Sequence, residues 1–426
     1  MREGDYKMNV AKKLILACTA LGIATLLTAC GNSNEAASGK TEIEFFNQKK
    51  EMTQTIQEIA KDFEKENPDI HVKVVDVPNA GEVIKTRMLA GDAPDVINLY
   101  PQSIELKEWA KAGYLEDLTD QSYLTNIKNG YAQRFAVNER IYNVPLTANV
   151  YGFYYNKTAF DEMGLEAPTT WEEFQRLVSS IKEQKRVPFA IAGAEGWTLN
   201  GYHQLALATV AGGEEEANNV WRFSEVNGIQ ADSEAMLGDF NRLDLLRESG
   251  ALQTNWQGAG YNDTVVTFTK GDALIMPNGS WAMPMINSQN PDFEVATFPF
   301  PADEKGESLT IGAGDLALSI SSDSEHKEEA QRFVEYMTTP QAMQKYYDVD
   351  GSPCAVEGVV ENSQDSPLSG LTELAFTDRH LVWLAKDWNS ENDFYTLTTN
   401  YLHNGNKETM VNALNAFFNP MKADGR

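Results

Sequence analysis

Four tryptophans of this 426-residue chain stand beside glycine or polar residues instead of inside apolar periodic runs: Trp197 in Glu195-Gly196-Trp197, Trp256 in Asn255-Trp256-Gln257-Gly258, Trp281 after Gly279-Ser280, and Trp388 in Asp387-Trp388-Asn389. An indole face meets apolar C–H surface, while Asn, Gln, Asp and Tyr supply directional hydrogen bonds. Together these residue types suit a ligand with a flat C–H face and a rim of hydroxyls, such as a sugar ring. The polar candidates are Asn47, Gln48, Tyr100, Asn149, Asp315 and Asp387. Each has a plainer reading. For Trp197 and Trp281 it is core or hinge packing; for Asn47, Gln48 and Asn149 it is turn chemistry at strand ends. Asp315, in Gly312-Ala313-Gly314-Asp315, also suits a turn cap, and Trp256, Trp383 and Trp388 admit both readings. Lys49 and Lys50 read as solvated, His203 as a surface histidine, and Trp109 and Trp171, on helical stripes, as core.

Other chemistries are poorly served. The five histidines show no ligand spacing, and of three cysteines Cys18 and Cys30 lie near the start, so Cys354 stands alone. Neither a disulfide framework nor a metal centre is expected, and no cofactor. A secreted carbohydrate-active enzyme would need two placed carboxylates; no pair stands out among the 62 acids, so no enzymatic activity is expected. Tyr346-Tyr347 would suit a ferric binder and the acidity a polyamine, against helix-end packing as the plainer reading. The formal charge is −27; residues 1–29 carry four bases and two acids, a net +2, which leaves −29 for the remainder. Such acidity argues against nucleic acid as a partner.

The elements that must position these residues alternate. Glu42 to Asn47 reads as a strand, Met52 to Asn67 as a helix with Met52, Ile56, Ile59, Ala60 and Phe63 inward, and His71 to Val77 as a strand. Gly81 to Ala90 reads as a helix and Asp95 to Tyr100 as a strand. Alternation of this kind implies an α/β fold with parallel-dominated sheets flanked by helices. Ligands in such sheets sit beyond the carboxyl ends of strands, so Asn47-Gln48-Lys49 and Tyr100-Pro101-Gln102 form one candidate wall. Thr169 or Thr170 caps a helix whose stripe is Trp171, Phe174, Leu177, Val178 and Ile181. Ala273 to Met276 reads as a short buried strand ending at Pro277, after which Asn278-Gly279-Ser280 turns the chain into Trp281.

Several stretches resemble family 1 extracellular solute-binding proteins, which serve carbohydrate ABC importers. They are Phe45-Phe46-Asn47-Gln48-Lys49, Asp62-Phe63-Glu64-Lys65-Glu66-Asn67-Pro68, Gly91-Asp92-Ala93-Pro94-Asp95-Val96, Asn143-Val144-Pro145 with Tyr154-Tyr155-Asn156-Lys157, Pro168-Thr169-Thr170-Trp171-Glu172-Glu173-Phe174, and Phe268-Thr269-Lys270-Gly271-Asp272-Ala273-Leu274 leading to Asn278-Gly279-Ser280-Trp281. The likeness spans Thr41 to about Tyr347. It implies a two-lobed, type II periplasmic-binding-protein-like fold with three hinge crossings, near Thr147 to Asn149, Pro299 to Pro301 and Ser321 to Asp323. The implied lobes are 41–148 with 295–321, and 149–294 with 322–426. Trp197 and Trp281 fall where the family stacks sugars. The start FFNQKK is similar to the multiple-sugar and raffinose-type subgroup, which implies an α-linked gluco- or galacto-oligosaccharide as ligand, ABC permease subunits as partners, and a monomer.

The N-terminus supplies an address. Lys12 and Lys13 precede an apolar run from Leu14 to Leu27, too short for a permanent span. Leu27-Thr28-Ala29-Cys30 resembles the lipobox of bacterial lipoproteins, which implies cleavage after Ala29, a diacylglyceryl group on Cys30, and a tether over 30–40. The expected place is the outer face of the cell membrane, held by lipid.

Overall fold

The computed structural model describes residues 39–361 and 366–422, apart from the side chains of residues 51 and 392. The signal, the lipobox and Cys30 lie outside the described residues. Among those described, no helix is long and apolar enough to cross a membrane.

Ten strands are seen among the described residues: β1 Thr41–Phe46, β2 Ile70–Val75, β3 Val96–Asn98, β4 Val144–Pro145, β5 Tyr151–Asn156, β6 Ile275–Gly279, β7 Val295–Phe298, β8 Thr310–Gly312, β9 Ala317–Ile320 and β10 His380–Val382. They form two sheets flanked by helices. The first has the order β2-β1-β3-β9-β4; the second has β10-β8-β5-β6, with β7 also on β5. Helices form where the apolar spacing and caps demand. Thr53–Glu66 buries Ile56, Ile59, Ala60 and Phe63 against the first sheet. Trp171–Glu183 opens with a capping box between Thr170 and Glu173 and buries the expected stripe.

Pairing departs from the expectation of parallel-dominated sheets: three strand pairs are parallel and five antiparallel. The cause is the repeated crossing of the chain. A strand that re-enters a sheet from the crossing must run against those that ended there. β9 therefore opposes β3, and β5 leaves the crossing while β6, β7 and β8 run back toward it. Strand ends thus gather at one place, and Trp281, Asp315 and Trp383 follow β6, β8 and β10 within three residues.

The partition between layers also differs. β7 and β8 pair within the second sheet, so residues 295–312 do not return to the first as expected; only β9 does. Helix Lys327–Met337, expected with the second lobe, packs on the first sheet, with the Phe333 ring 5.7 Å from Phe45 and 5.3 Å from Phe63. β6 runs through Pro277 to Gly279, as its edge position permits for a residue without N–H.

Two connections between the layers are seen among the described residues. Residues 146–149 form the first, as expected. The second is 313–316, not 299–301: Asn149 N donates to Ala313 O at 2.9 Å and Leu146 N to Leu316 O at 2.8 Å. On the other side of the first, Ala148 N donates to Pro353 O and Ala355 N to Leu146 O, both at 2.8 Å. No crossing is seen at 321–323, where a third was expected: helix Lys327–Met337 stays on the first sheet and Glu361 still pairs with Lys128 of that layer, whereas the Pro367 carbonyl accepts from Thr297 of β7 in the second.

Candidate functional site

A cavity of about 450 Å³ opens where these connections meet the strand ends, lined by Tyr100, Gln102, Asn149, Trp197, Asn200, Trp281, Asp315, Trp383, Glu391 and Tyr395. Tyr100 and Gln102 follow β3, Asn149 and Asp315 sit on connections, and the rest belong to the second layer.

Trp281 folds back over its own chain. A Cβ at residue 279 would lie 2.1 Å from the indole Cζ3, so only glycine admits this pose. Behind it, Tyr151 is fully buried and donates its hydroxyl to Thr198 O at 2.8 Å. The Trp281 ring lies 6.2 Å from Tyr151 and 6.5 Å from Trp383, giving a tilted aromatic wall. Trp383 is held through its N–H to Gly312 O, and Gln204 accepts the next amide, Leu384 N, at 2.7 Å. Trp197, also in the lining, donates Nε1 to Glu195 Oε2 at 3.0 Å, and its ring lies 5.1 Å from that of Tyr261. Asn149 accepts from Ala313 N at 3.1 Å. Two polar atoms in the lining, Trp281 Nε1 and Gln102 Oε1, are buried without a hydrogen-bond partner. Such atoms are costly unless a ligand or solvent meets them.

The lining carries two acids, Asp315 and Glu391, and no base. Burial, and secondarily the charge of Glu105, pushes the Glu391 carboxyl up to about 7. Among the described residues no group of histidine, cysteine, aspartate and glutamate is disposed to hold a metal. The arrangement offers aromatic faces, hydrogen-bond donors and acceptors, and no nucleophile set beside a base. It is chemistry for holding a polyol.

Of the sequence candidates, the structure brings Trp197, Trp281, Tyr100, Asn149 and Asp315 together in this cavity. The others lie elsewhere. Asn47 is 1% exposed and spends its amide on Lys49 O and Thr53 Oγ1, with Oδ1 accepting from Lys49 N, the turn chemistry of the plainer reading. Gln48 donates to Asn98 O at 2.7 Å. Trp256 stacks on His403 at 4.8 Å. Asp387 pairs with Lys107 at 2.6 Å in a separate groove. Trp388 is in an aromatic core with Trp221, Phe394 and Phe418 and donates to Asn218. His203, read as a surface residue, is fully buried between Thr398 and Asp239. Tyr346 is likewise buried, so the tyrosine pair is not a cavity feature. Asn200, Glu391 and Tyr395 were not legible as site residues. Trp383, which admits both readings in the sequence, lines the cavity just after β10.

The profile of bacterial extracellular solute-binding proteins matches residues 49–344. The chain belongs to that family. Over 407 residues this solute-binding protein is 56% identical to a multiple sugar-binding protein of Streptococcus mutans, covering 95% of this chain and 97% of that protein. Among solved structures it resembles RafE of Streptococcus pneumoniae at 61% identity, covering 90% of this chain. The TM-score is 0.88 with the apo form, 99% of which is covered, and 0.84 with the raffinose complex, covered completely at 100%. A chitin oligosaccharide binding protein, 23% identical with a TM-score of 0.74 over 90% of this chain and 99% of that one, shares the fold. The fold is therefore the two-lobed, type II arrangement of such proteins.

Proposed function

We propose that this solute-binding protein captures an oligosaccharide in the 450 Å³ cavity, with raffinose-type α-galactosides the first class to test, and delivers it to the permease of an ABC importer. The carrying observation is the cavity itself: three tryptophans and two tyrosines facing Asn, Gln, Asp and Glu at the meeting of two layers. Similarity to the raffinose complex of RafE and to the S. mutans protein supports the choice of ligand. The moving bodies in this reading are residues 41–146 with 316–361, and 150–312 with 366–422. Ligand bridging them favours a closed population by its extra contacts there. Cys30 carries the lipid that keeps the receptor beside its transporter.

A thermal-shift panel of di- to pentasaccharides, spermidine and ferric citrate tests the ligand. The cognate sugar at 100 times its Kd adds about 2.7 kcal/mol of stability; a response to spermidine or iron with none to any sugar sinks the proposal. For the anchor, Cys30→Ala releases the protein into the medium with sugar binding intact. Retention of that variant at the membrane counts against lipidation at Cys30.

A further inference from the structure

Lys49, a surface residue by sequence, is 4% exposed at the end of β1. Its ammonium pairs with the carboxylate of Asp315 and, at 3.2 Å, with Oδ1 of Asp350, the last residue of helix Pro340–Asp350. The Tyr346 ring centroid lies 5.9 Å away. Burial pulls the ammonium pKa down, but Asp315, Tyr346 and Asp350 more than restore it, so Lys49 stays charged. Of this group only Asp315 lines the cavity.

Asp315 is held in two ways. Its backbone N donates to Thr147 O at 3.1 Å, and the next amide, Leu316 N, donates to Thr147 Oγ1 at 2.9 Å, which fixes the main chain on the connection. The side chain is fixed through Oδ2 by Lys49. Oδ1 remains to accept a ligand hydroxyl in a charge-assisted bond. Without Lys49 two carboxylates would share a buried space with their counter-charge gone, and the favourable position of Asp315 would be lost.

We infer that Lys49 is a positioning residue for ligand recognition, which acts on the sugar only through Asp315 and ties the first sheet to the cavity wall. The inference rests on the reading of the cavity as an oligosaccharide site. It is tested by a double-mutant cycle in the otherwise unchanged chain, with raffinose titrated calorimetrically and ligand-free unfolding measured alongside. Lys49→Met and Asp315→Asn are each expected to weaken raffinose binding about tenfold or more, and the double variant to bind no more weakly than Asp315→Asn alone. Lys49→Arg restores most of the affinity. Should Lys49→Met not fold, Lys49→Gln, which keeps a donor without the charge, takes its place in the cycle. Additive losses, or full affinity in a folded variant without the charge, overturn the inference. Wild-type protein that binds neither raffinose nor any sugar of the panel instead sinks the oligosaccharide reading, and the role of Lys49 with it.

Discussion

At the scale of single residues, Trp281 is the part of the wall on which most depends. Its pose needs Gly279 behind it and Tyr151 beneath it, so the aromatic face is set before any ligand arrives. Trp281→Ala is expected to weaken sugar binding by roughly 10- to 100-fold, about 1.4–2.8 kcal/mol, the range of a buried aromatic anchor. Trp281→Phe should recover part of it; calorimetry that finds both variants equal to wild type contradicts the stacking role. Glu391 makes a second prediction, about pH. Its carboxyl is raised from 4.5 to about 7, so the folded state binds a proton that the unfolded chain has released over that window. Stability contributed by this group is therefore present at low pH and lost as pH rises from about 4.5 to about 7. Glu391→Gln should flatten that part of the Tm profile, and a profile unchanged by the substitution would show that the group titrates normally.

At the scale of elements, the connections do the positioning. Gly312 ends β8 where a Cβ would lie 1.8 Å from Asn149 O and 2.8 Å from its Oδ1. Gly312→Ala must push apart the first and second connections, and with them Asn149 and Asp315. The expected cost is about 1–3 kcal/mol, that of overpacking a close-packed site, seen as a lower Tm together with weaker sugar binding. A lower Tm with unchanged affinity would separate the connection from the cavity. Helices were the legible elements: the stripes of Thr53–Glu66 and Trp171–Glu183, and the Thr170 cap, follow from local spacing. Strand partners were not. Val295–Phe298 pairs with β5 and not with the first sheet, because membership is decided by which edge is open, and a short apolar run does not encode that.

At the scale of the molecule, the proposed cycle is closure of the two layers on the ligand that bridges them. Raffinose is accordingly expected to reduce the radius of gyration in solution scattering, and Trp281→Ala to blunt the change at the same sugar concentration. No contraction at saturation would rule against closure as the mechanism. The sequence by itself determined the family, the α/β class, the helices, and half of the candidate residues: Trp197, Trp281, Tyr100, Asn149 and Asp315 stand next to glycine turns or strand ends, and those are local signals. Tertiary structure alone decided that Trp388 is core, that Glu391 and Tyr395 reach the cavity, and that Lys49 is buried behind Asp315. Burial and partnership at these positions come from segments hundreds of residues apart, as between Lys49 and Asp315 at a separation of 266, and no pattern within one segment carries that information.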